Sequence, residues 1–206
     1  MIVSQQMIKK HSQILSTQTE LDLLKVYRNR VPHEVYDKPI GFPRTDGSGN
    51  NRKNLRVATR LLKQAGWTVR DGKLTDAEGE VMEIEFLTDQ PTFKRVYAPY
   101  LRNLERVGVT GKIRIVDSAQ YQNRLNEFDY DIITARFVMS LTPGIEQRNM
   151  WGSDAADVPG SFNLSGVKDP VVDELIEQLV AASDRDALTT AARVLDRVLL
   201  WNHYIV

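Results

Sequence analysis

Histidines and carboxylates are the side chains of this sequence that could hold a metal ion or move a proton. Asp129 with Asp131, and Asp154 with Asp157, are close enough in the chain for acid–base work. No histidine lies beside either pair, so roles as caps and turn formers are predicted instead. The histidines stand far apart and lack metal-ligand spacing such as H-E-x-x-H: His11, His33 and His203. We therefore predict no metal, no cofactor and no catalytic residue.

A glycine-rich loop before a basic helix could cradle a phosphate. It reads G-S-G-N-N-R-K over residues 47–53, and the amides of a helix N-terminus attract anions. The pattern departs from G-x-x-x-x-G-K-[ST], and no strand clearly precedes it. A glycine turn before a helix is therefore the main prediction. A small α/β transferase that binds phosphate or nucleotide through Gly47–Gly49 is the alternative.

The helix after that loop carries basic residues on one face, which we predict to be a solvated face. They are Arg52, Lys53, Arg56, Arg60 and Lys63. The whole chain is balanced, with 27 basic and 27 acidic residues and a formal net charge of zero. This balance argues against a dedicated nucleic-acid binder, which needs a basic excess, and equally against a protein of anionic membrane surfaces.

Length and composition are typical of a globular protein with a true core. The chain has 206 residues, 42% of them hydrophobic, which suits one domain or slightly more. It has no cysteine, so disulfides, thiolate metal sites and cysteine nucleophiles are excluded. The first twenty residues lack the apolar segment of a signal peptide. We expect either a cytoplasmic protein or part of a longer, exported one.

The elements that would position a site form a predicted β-α-β-α-β unit. Strands are expected at 81–88, 111–117 and 130–137, with helices at 91–108 and 118–129 between them. The first crossover should be right-handed, which makes its strands parallel. A helix and a hairpin turning at Asp71–Gly72 precede this unit, and helices at 168–182 and 184–204 follow it. The predicted class is α/β with a mixed sheet and C-terminal helices.

A long loop, residues 151–166, separates the third strand from the C-terminal helices. It begins at Trp151 and continues with small and polar residues. Compact domains seldom keep so long a connection without a use. Ligands of open α/β sheets collect at the carboxyl ends of the strands, so Phe137, Ser140 and Trp151 could line one side of a cleft. An interior position is the alternative for Trp151.

Several blocks of the sequence resemble the family 5 extracellular solute-binding proteins, the oligopeptide and dipeptide receptors of ABC importers. The helix around residues 52–67 is similar to the family pattern N-R-x-x-L-x-x-A-x-x-L-L-x-x-A-G-W. The segment 100–137 resembles its N-L-x-x-x-G … V-D-x-x-x-Y-x-x-R-x-x-x-F-D-x-D stretch. The run P-G-I-E-Q-R-N-M-W-G-S over residues 143–153 is similar to the YejA-like subgroup. The resemblance extends from about residue 20 to the end.

This resemblance implies the C-terminal lobe of a two-lobed periplasmic binding protein, whose peptide is enclosed between the lobes. The polar residues 1–20 predict a poorly ordered tail or a marginal helix, and prolines 32, 39 and 43 predict an extended segment over 21–50. With the resemblance, 21–50 becomes a hinge-side segment and 51–206 the lobe. The N-terminal lobe and signal peptide would lie outside this chain. The implied ligand residues are Phe137, Ser140, Trp151, Ser153 and Asn163. Ser140 stands where some relatives have an acidic anchor for the peptide amino terminus.

The implied partners are a peptide or peptide-like ligand, the membrane permease of the importer and the missing lobe. The function is delivery of the ligand to that permease, with no chemical step. A third reading is a protein-interaction domain that self-associates through its uncovered interlobe surface. A cleft that accepts many peptides should rely on backbone groups and aromatic walls. Half of such a cleft should bind weakly, because it supplies only part of the buried area.

Overall fold

The computed structural model describes residues 16–39, 43, 45–137 and 140–205. They divide into two compact units. The helical unit contains residues 16–39 together with the described residues from 136 onwards. The sheet unit contains residue 43 and residues 45–135. The predicted division into a tail at 1–20, a hinge-side segment at 21–50 and one lobe at 51–206 stays a prediction.

Two helices of the helical unit come first in the chain: α1, Gln18–Leu24, and α2, Glu34–Asp37. The first helix of the sheet unit is α3, Arg52–Gln64. α3 packs Leu55, Ala58 and Leu62 against a core of Leu74, Val107 and Val109. Strands β1, Thr68–Arg70, and β2, Lys73–Thr75, then form the predicted antiparallel hairpin. Asp71 and Gly72 have φ of 49° and 79°, the left-handed pair that a tight hairpin turn requires.

A three-stranded parallel sheet is the centre of this unit, in the order β4-β3-β5. β3 is Glu83–Thr88, β4 is Thr110–Ile115 and β5 is Ile132–Ile133. β3 pairs with both neighbours in parallel, as the predicted β-α-β-α-β order requires. β5 is much shorter than the predicted strand over 130–137. The carboxylate of Asp131 accepts the Glu85 backbone N–H at 2.7 Å, so a side chain takes the place of a strand carbonyl there.

Two helices connect these strands. A 3₁₀ turn, Pro91–Phe93, leads into α4, Lys94–Glu105, which packs Tyr97 and Leu101 against Phe86 of β3. Pro99 lies inside α4, as the sequence indicates. α5, Ser118–Asn126, begins at Asp117, whose side chain accepts the Gln120 N–H at 2.8 Å. The predicted helices at 91–108 and 118–129 are thus present with shorter bounds.

Glu85 is the centre of an ion-pair network on the sheet. Its carboxylate lies 2.8 Å from Nη2 of Arg124, 3.3 Å from Nε of Arg114 and 3.4 Å from Nζ of Lys112. Burial by itself would raise the pKa of Glu85, but the three cations outweigh it and hold the pKa below its ordinary value. Arg124 thereby joins α5 to β3. Asp129 accepts from the same guanidinium at 2.7 Å, a structural role like the one predicted for it.

The helical unit combines α1 and α2 with three helices from the second half of the chain. These are α6, Glu146–Trp151, α7, Pro170–Val180, and α8, Arg185–Trp201. Asp169 and Asp184 cap α7 and α8 through backbone N–H groups, and Pro170 occupies the first turn of α7, as predicted. Within the described residues, no helix is long and apolar enough to cross a membrane.

Helical elements occupy Gln18–Tyr27 and Glu34–Asp37, which corrects the extended conformation expected for the segment after residue 20. Thr17 caps α1 in a reciprocal capping box with Glu20, and a 3₁₀ turn, Lys25–Tyr27, continues it. Leu24, Tyr27 and Val35 are fully buried in the core of α7 and α8. Pro32 and Pro39 flank α2 rather than interrupt it, so the helices can form while these side chains are buried. Most of the predicted tail, residues 1–15, lies outside the described residues.

α8 also carries charged residues into the interior. Asp196 is 6% exposed and Arg197 is 4% exposed. One guanidinium nitrogen of Arg197 donates to the carbonyl of Lys38 at 3.2 Å. Arg193 lies 3.7 Å from the buried carboxylate of Glu20. These groups join α8 to the early helical segment by polar contacts as well as by packing.

Candidate ligand-binding site

Trp151 ends the short helix α6 and is buried in the core of the helical unit. Only 1% of it is exposed, and its neighbours in the hydrophobic cluster include residues of α1, α7 and α8. The ring of Phe137 stacks on it with centroids 5.2 Å apart and planes 27° apart. The sequence places Trp151 in a loop, so its helical conformation is a correction. Its burial agrees with the interior alternative, and contact with a ligand stays a prediction.

Glu146 at the start of α6 is held by local hydrogen bonds. Its Oε1 accepts the Gly144 N–H at 2.8 Å and the Gln147 side-chain amide at 3.1 Å. Burial would raise the pKa of Glu146, but these hydrogen bonds stabilise the carboxylate and lower the pKa overall. Gln147 is fully buried beside it. Glu146 and its hydrogen bonds therefore help to fix the orientation of α6, and with it the position of Trp151.

Gly152 allows the chain to turn sharply after Trp151. Its N–H donates to the carbonyl of Arg148 at 3.0 Å, and a Cβ on Gly152 would lie only 2.5 Å from that carbonyl oxygen. Sequence reasoning missed this residue. The signal available was a glycine directly after the aromatic residue Trp151.

Gly152→Ala is expected to destabilise the chain by about 1–3 kcal/mol, because the methyl group would press on backbone that cannot rotate away. Urea unfolding followed by circular dichroism measures the loss. Gly144→Ala is the matched control, since its Cβ would meet nothing closer than a Glu146 oxygen at 3.4 Å. Equal stability of the two variants would contradict the close approach at Gly152.

Ser153 and Asn163 hold the long loop together from inside. Ser153 donates its N–H and its hydroxyl to the two oxygens of Asp173 on α7, at 2.8 and 2.6 Å. Asn163 is fully buried; its amide donates to the carbonyls of Gly152 and Val167 at 2.9 Å each. Its oxygen accepts the Val167 N–H at 2.8 Å. Both predicted site residues therefore make structural hydrogen bonds within this loop and to α7.

The surface beside this network is apolar and exposed. Ser140 is exposed and its hydroxyl accepts the Thr142 N–H at 3.1 Å. Four large side chains of the segments before and after α6 are more than half exposed, a signal that sequence reasoning did not use. They are Leu141, Ile145, Val158 and Phe162. Residues 138 and 139, between Phe137 and Ser140, lie outside the described residues.

The structure brings four of the five predicted residues into one connected arrangement. Phe137 stacks on Trp151, and the adjoining Gly152 and Ser153 connect through hydrogen bonds to Asn163 and α7. Among the described contacts, Ser140 joins none of them. Two open clefts, of about 380 and 370 Å³, lie in the sheet unit and contain none of the five.

The Gly47–Gly49 loop has a geometry suited to a turn. Gly47 and Gly49 both have φ of 78°, and the carboxylate of Asp46 accepts the Ser48 N–H at 2.9 Å. The Ser48 N–H is thus already bonded to the Asp46 carboxylate and is not free for a phosphate. Among the described residues, no three His, Cys, Asp or Glu side chains are grouped to hold a metal ion.

Comparison with known proteins identifies the class of protein. The model of the bacterial extracellular solute-binding proteins, family 5 (middle part), matches residues 25–158. The chain belongs to this family, which is a family of binding proteins. The predicted resemblance is therefore confirmed, and nothing in the comparisons supports the transferase alternative.

Particular relatives are similar over nearly the whole chain. It is 40% identical over 193 residues to "Probable peptide-binding protein YejA" of Agrobacterium fabrum, covering 93% of this chain and 31% of that protein. It is 41% identical over 187 residues to "Peptidoglycan-binding protein YepA" of the same organism, covering 91% and 30%. The chain thus spans about a third of the length of these relatives.

A solved structure shows the same fold. The oligopeptide-binding protein AppA of Bacillus subtilis, in complex with a nonapeptide, matches with a TM-score of 0.66 at 18% sequence identity. The match covers 90% of this chain and 38% of AppA. The α/β class predicted from the sequence is confirmed.

Proposed function

We propose that this chain is part of an extracellular receptor that binds a peptide or peptide-containing solute and delivers it to an ABC permease in the membrane. The observation that carries the proposal is the 40% identity over 193 residues to a protein named as peptide-binding. The chain would be the C-terminal lobe of the receptor, with the other lobe supplied by sequence outside it. The proposal places the receptor in the periplasm and assigns the chain no catalytic step.

In this proposal the five site residues have two different roles. Phe137 is partly exposed and Ser140 is exposed, so these two contact the ligand. Trp151, Ser153 and Asn163 position that surface, because Trp151 and Asn163 are buried and Ser153 is held by Asp173. The exposed apolar side chains nearby, such as Leu141 and Phe162, suit a ligand of varied sequence.

Thermal shift measurements with short peptides and with nucleotides test the proposal. Peptides are expected to raise the melting temperature, and nucleotides are not. The shift should be small, because a ligand at concentrations near its dissociation constant stabilises the folded state by less than about 1 kcal/mol. Phe137→Ala should abolish it, since the aromatic wall is lost.

Tyr100→Ala is the matched control. Tyr100 is a partly exposed ring that packs on a buried one, Phe86, with centroids 5.8 Å apart, and it lies in the sheet unit. This variant should keep the peptide shift. A nucleotide shift without a peptide shift would overturn the proposal. Self-association through the exposed apolar side chains stays a prediction. Size-exclusion chromatography of the same sample tests it, and a clean monomer would contradict it.

A further inference from the structure

Helix α3 presents a stripe of positive charge. Its thirteen residues include five basic residues and no acidic residue. At 3.6 residues per turn the five fall within an arc of about 100° and extend about 16 Å along the helix. All five are exposed, on the side turned away from the packed residues Leu55, Ala58 and Leu62. The basic stripe consists of Arg52, Lys53, Arg56, Arg60 and Lys63.

The basic stripe is unfavourable to the helix that carries it. Arg52 with Arg56, and Arg56 with Arg60, are like charges one turn apart, which repel each other. Arg52 and Lys53 also stand in the first turn, where the helix dipole favours acidic residues. Within the part of the chain that the structure describes, none of the five forms an ion pair. The stability of α3 therefore does not explain the basic stripe.

We propose that the basic stripe is a docking surface for the anionic headgroups of a lipid bilayer. Five exposed cations in a row along one helix face suit a flat and extended anionic surface. Val57 and Leu61, 40% and 54% exposed, follow the basic stripe along one edge and can enter the headgroup layer. An acidic protein would instead need carboxylates that are spaced to match the five cations of the basic stripe.

The zero net charge of the chain does not oppose this docking. At physiological ionic strength, charges beyond about 8 Å are largely screened. The attraction between α3 and a bilayer therefore depends on the charges of the basic stripe, and not on the net charge of all 206 residues. The composition argument against a membrane-surface protein applies to the chain as a whole and not to one helix face.

Vesicle co-sedimentation of the 206-residue chain tests the proposal. The chain should bind vesicles containing about 30 mol% phosphatidylglycerol at low salt, release them at high salt, and ignore pure phosphatidylcholine. Each Lys or Arg near an anionic surface strengthens binding about fivefold. The triple variant Arg52→Gln, Arg56→Gln, Arg60→Gln should therefore bind about 100-fold more weakly. The corresponding Arg→Lys triple variant should bind like the native chain.

The matched control removes the same charge from another helix of the sheet unit. Arg95, Arg102 and Arg106 are exposed residues in or next to α4, and their replacement by glutamine should leave vesicle binding nearly unchanged. Thermal melts should show the basic-stripe variant to be at least as stable as the native chain, because repulsion is removed. If the basic-stripe variant has a low melting temperature, the Arg→Lys variant and the salt dependence of vesicle binding test the proposal instead.

Three results would overturn the proposal: no binding of the native chain to the anionic vesicles, equal loss in the control, or equal binding to phosphatidylcholine. Binding to polyglutamate without binding to the vesicles would assign the basic stripe to an acidic protein surface and overturn it too. Failure here would leave the proposed peptide binding untouched, because α3 contains none of the proposed ligand residues.

Discussion

Trp151→Ala is expected to lower the free energy of unfolding by about 3–5 kcal/mol, the usual cost of deleting a large buried aromatic side chain. Trp151 is 1% exposed, and its ring both fills the core of the helical unit and supports Phe137 at 5.2 Å. The deletion leaves a cavity that the surrounding helices can close only in part. Urea unfolding followed by far-ultraviolet circular dichroism measures the loss.

Trp151→Phe is the matched control for that experiment. The indole Nε1–H of Trp151 is buried and has no hydrogen-bond partner among the described residues, so phenylalanine removes no recorded hydrogen bond. This variant should therefore lose far less stability than alanine, and should keep the stack with Phe137. A loss below about 0.5 kcal/mol for Trp151→Ala, as at a surface position, would contradict the interior placement.

Asp196 is expected to make the chain less stable as the pH rises from about 4 to about 6. Burial raises the pKa of its carboxyl to about 6 from an ordinary value of 3.8, although the adjacent Arg197 opposes the shift. Between these two values the folded chain binds a proton that the unfolded chain has released. Stability is therefore fully present below the unfolded pKa and is lost as pH rises through the folded pKa. A shift of this size corresponds to roughly 3 kcal/mol.

Asp196→Asn removes this titration, so the difference in unfolding free energy between variant and native chain is the quantity to measure. It should be roughly 3 kcal/mol in favour of the variant above about pH 7, and should vanish below about pH 3. Taking the difference cancels the opposite pH dependence of groups such as Glu85, whose pKa is lowered. A pH-independent difference for Asp196→Asn would refute the prediction.

The local pattern of the sequence was enough to predict most elements of the fold. Period-two alternation identifies β3, the Asp71–Gly72 pair identifies the hairpin turn, and Asp169 with Pro170 marks the start of α7. These signals depend on residues close together in the chain, where backbone preference and side-chain spacing act directly. Family membership was likewise readable, because several motif blocks occur in the right order.

Predictions about the site were less complete for a physical reason. The sequence placed Phe137, Trp151, Ser153 and Asn163 in one region. It did not show which of these side chains face inwards. Burial depends on what packs above a residue, and the partners of Trp151 come from helices far away in sequence. Gly152 was missed because its importance lies in a 2.5 Å approach to a backbone oxygen.

What the sequence determined by itself is therefore the set of local elements, the α/β class and the family. The tertiary structure placed α1, the 3₁₀ turn Lys25–Tyr27 and α2 against the core of α7 and α8, because Leu24, Tyr27 and Val35 are buried there. It also decided that β5 begins only at Ile132, since the Asp131 side chain takes the place of a strand carbonyl just before it. Both outcomes depend on long-range contacts, whose energies no local pattern contains.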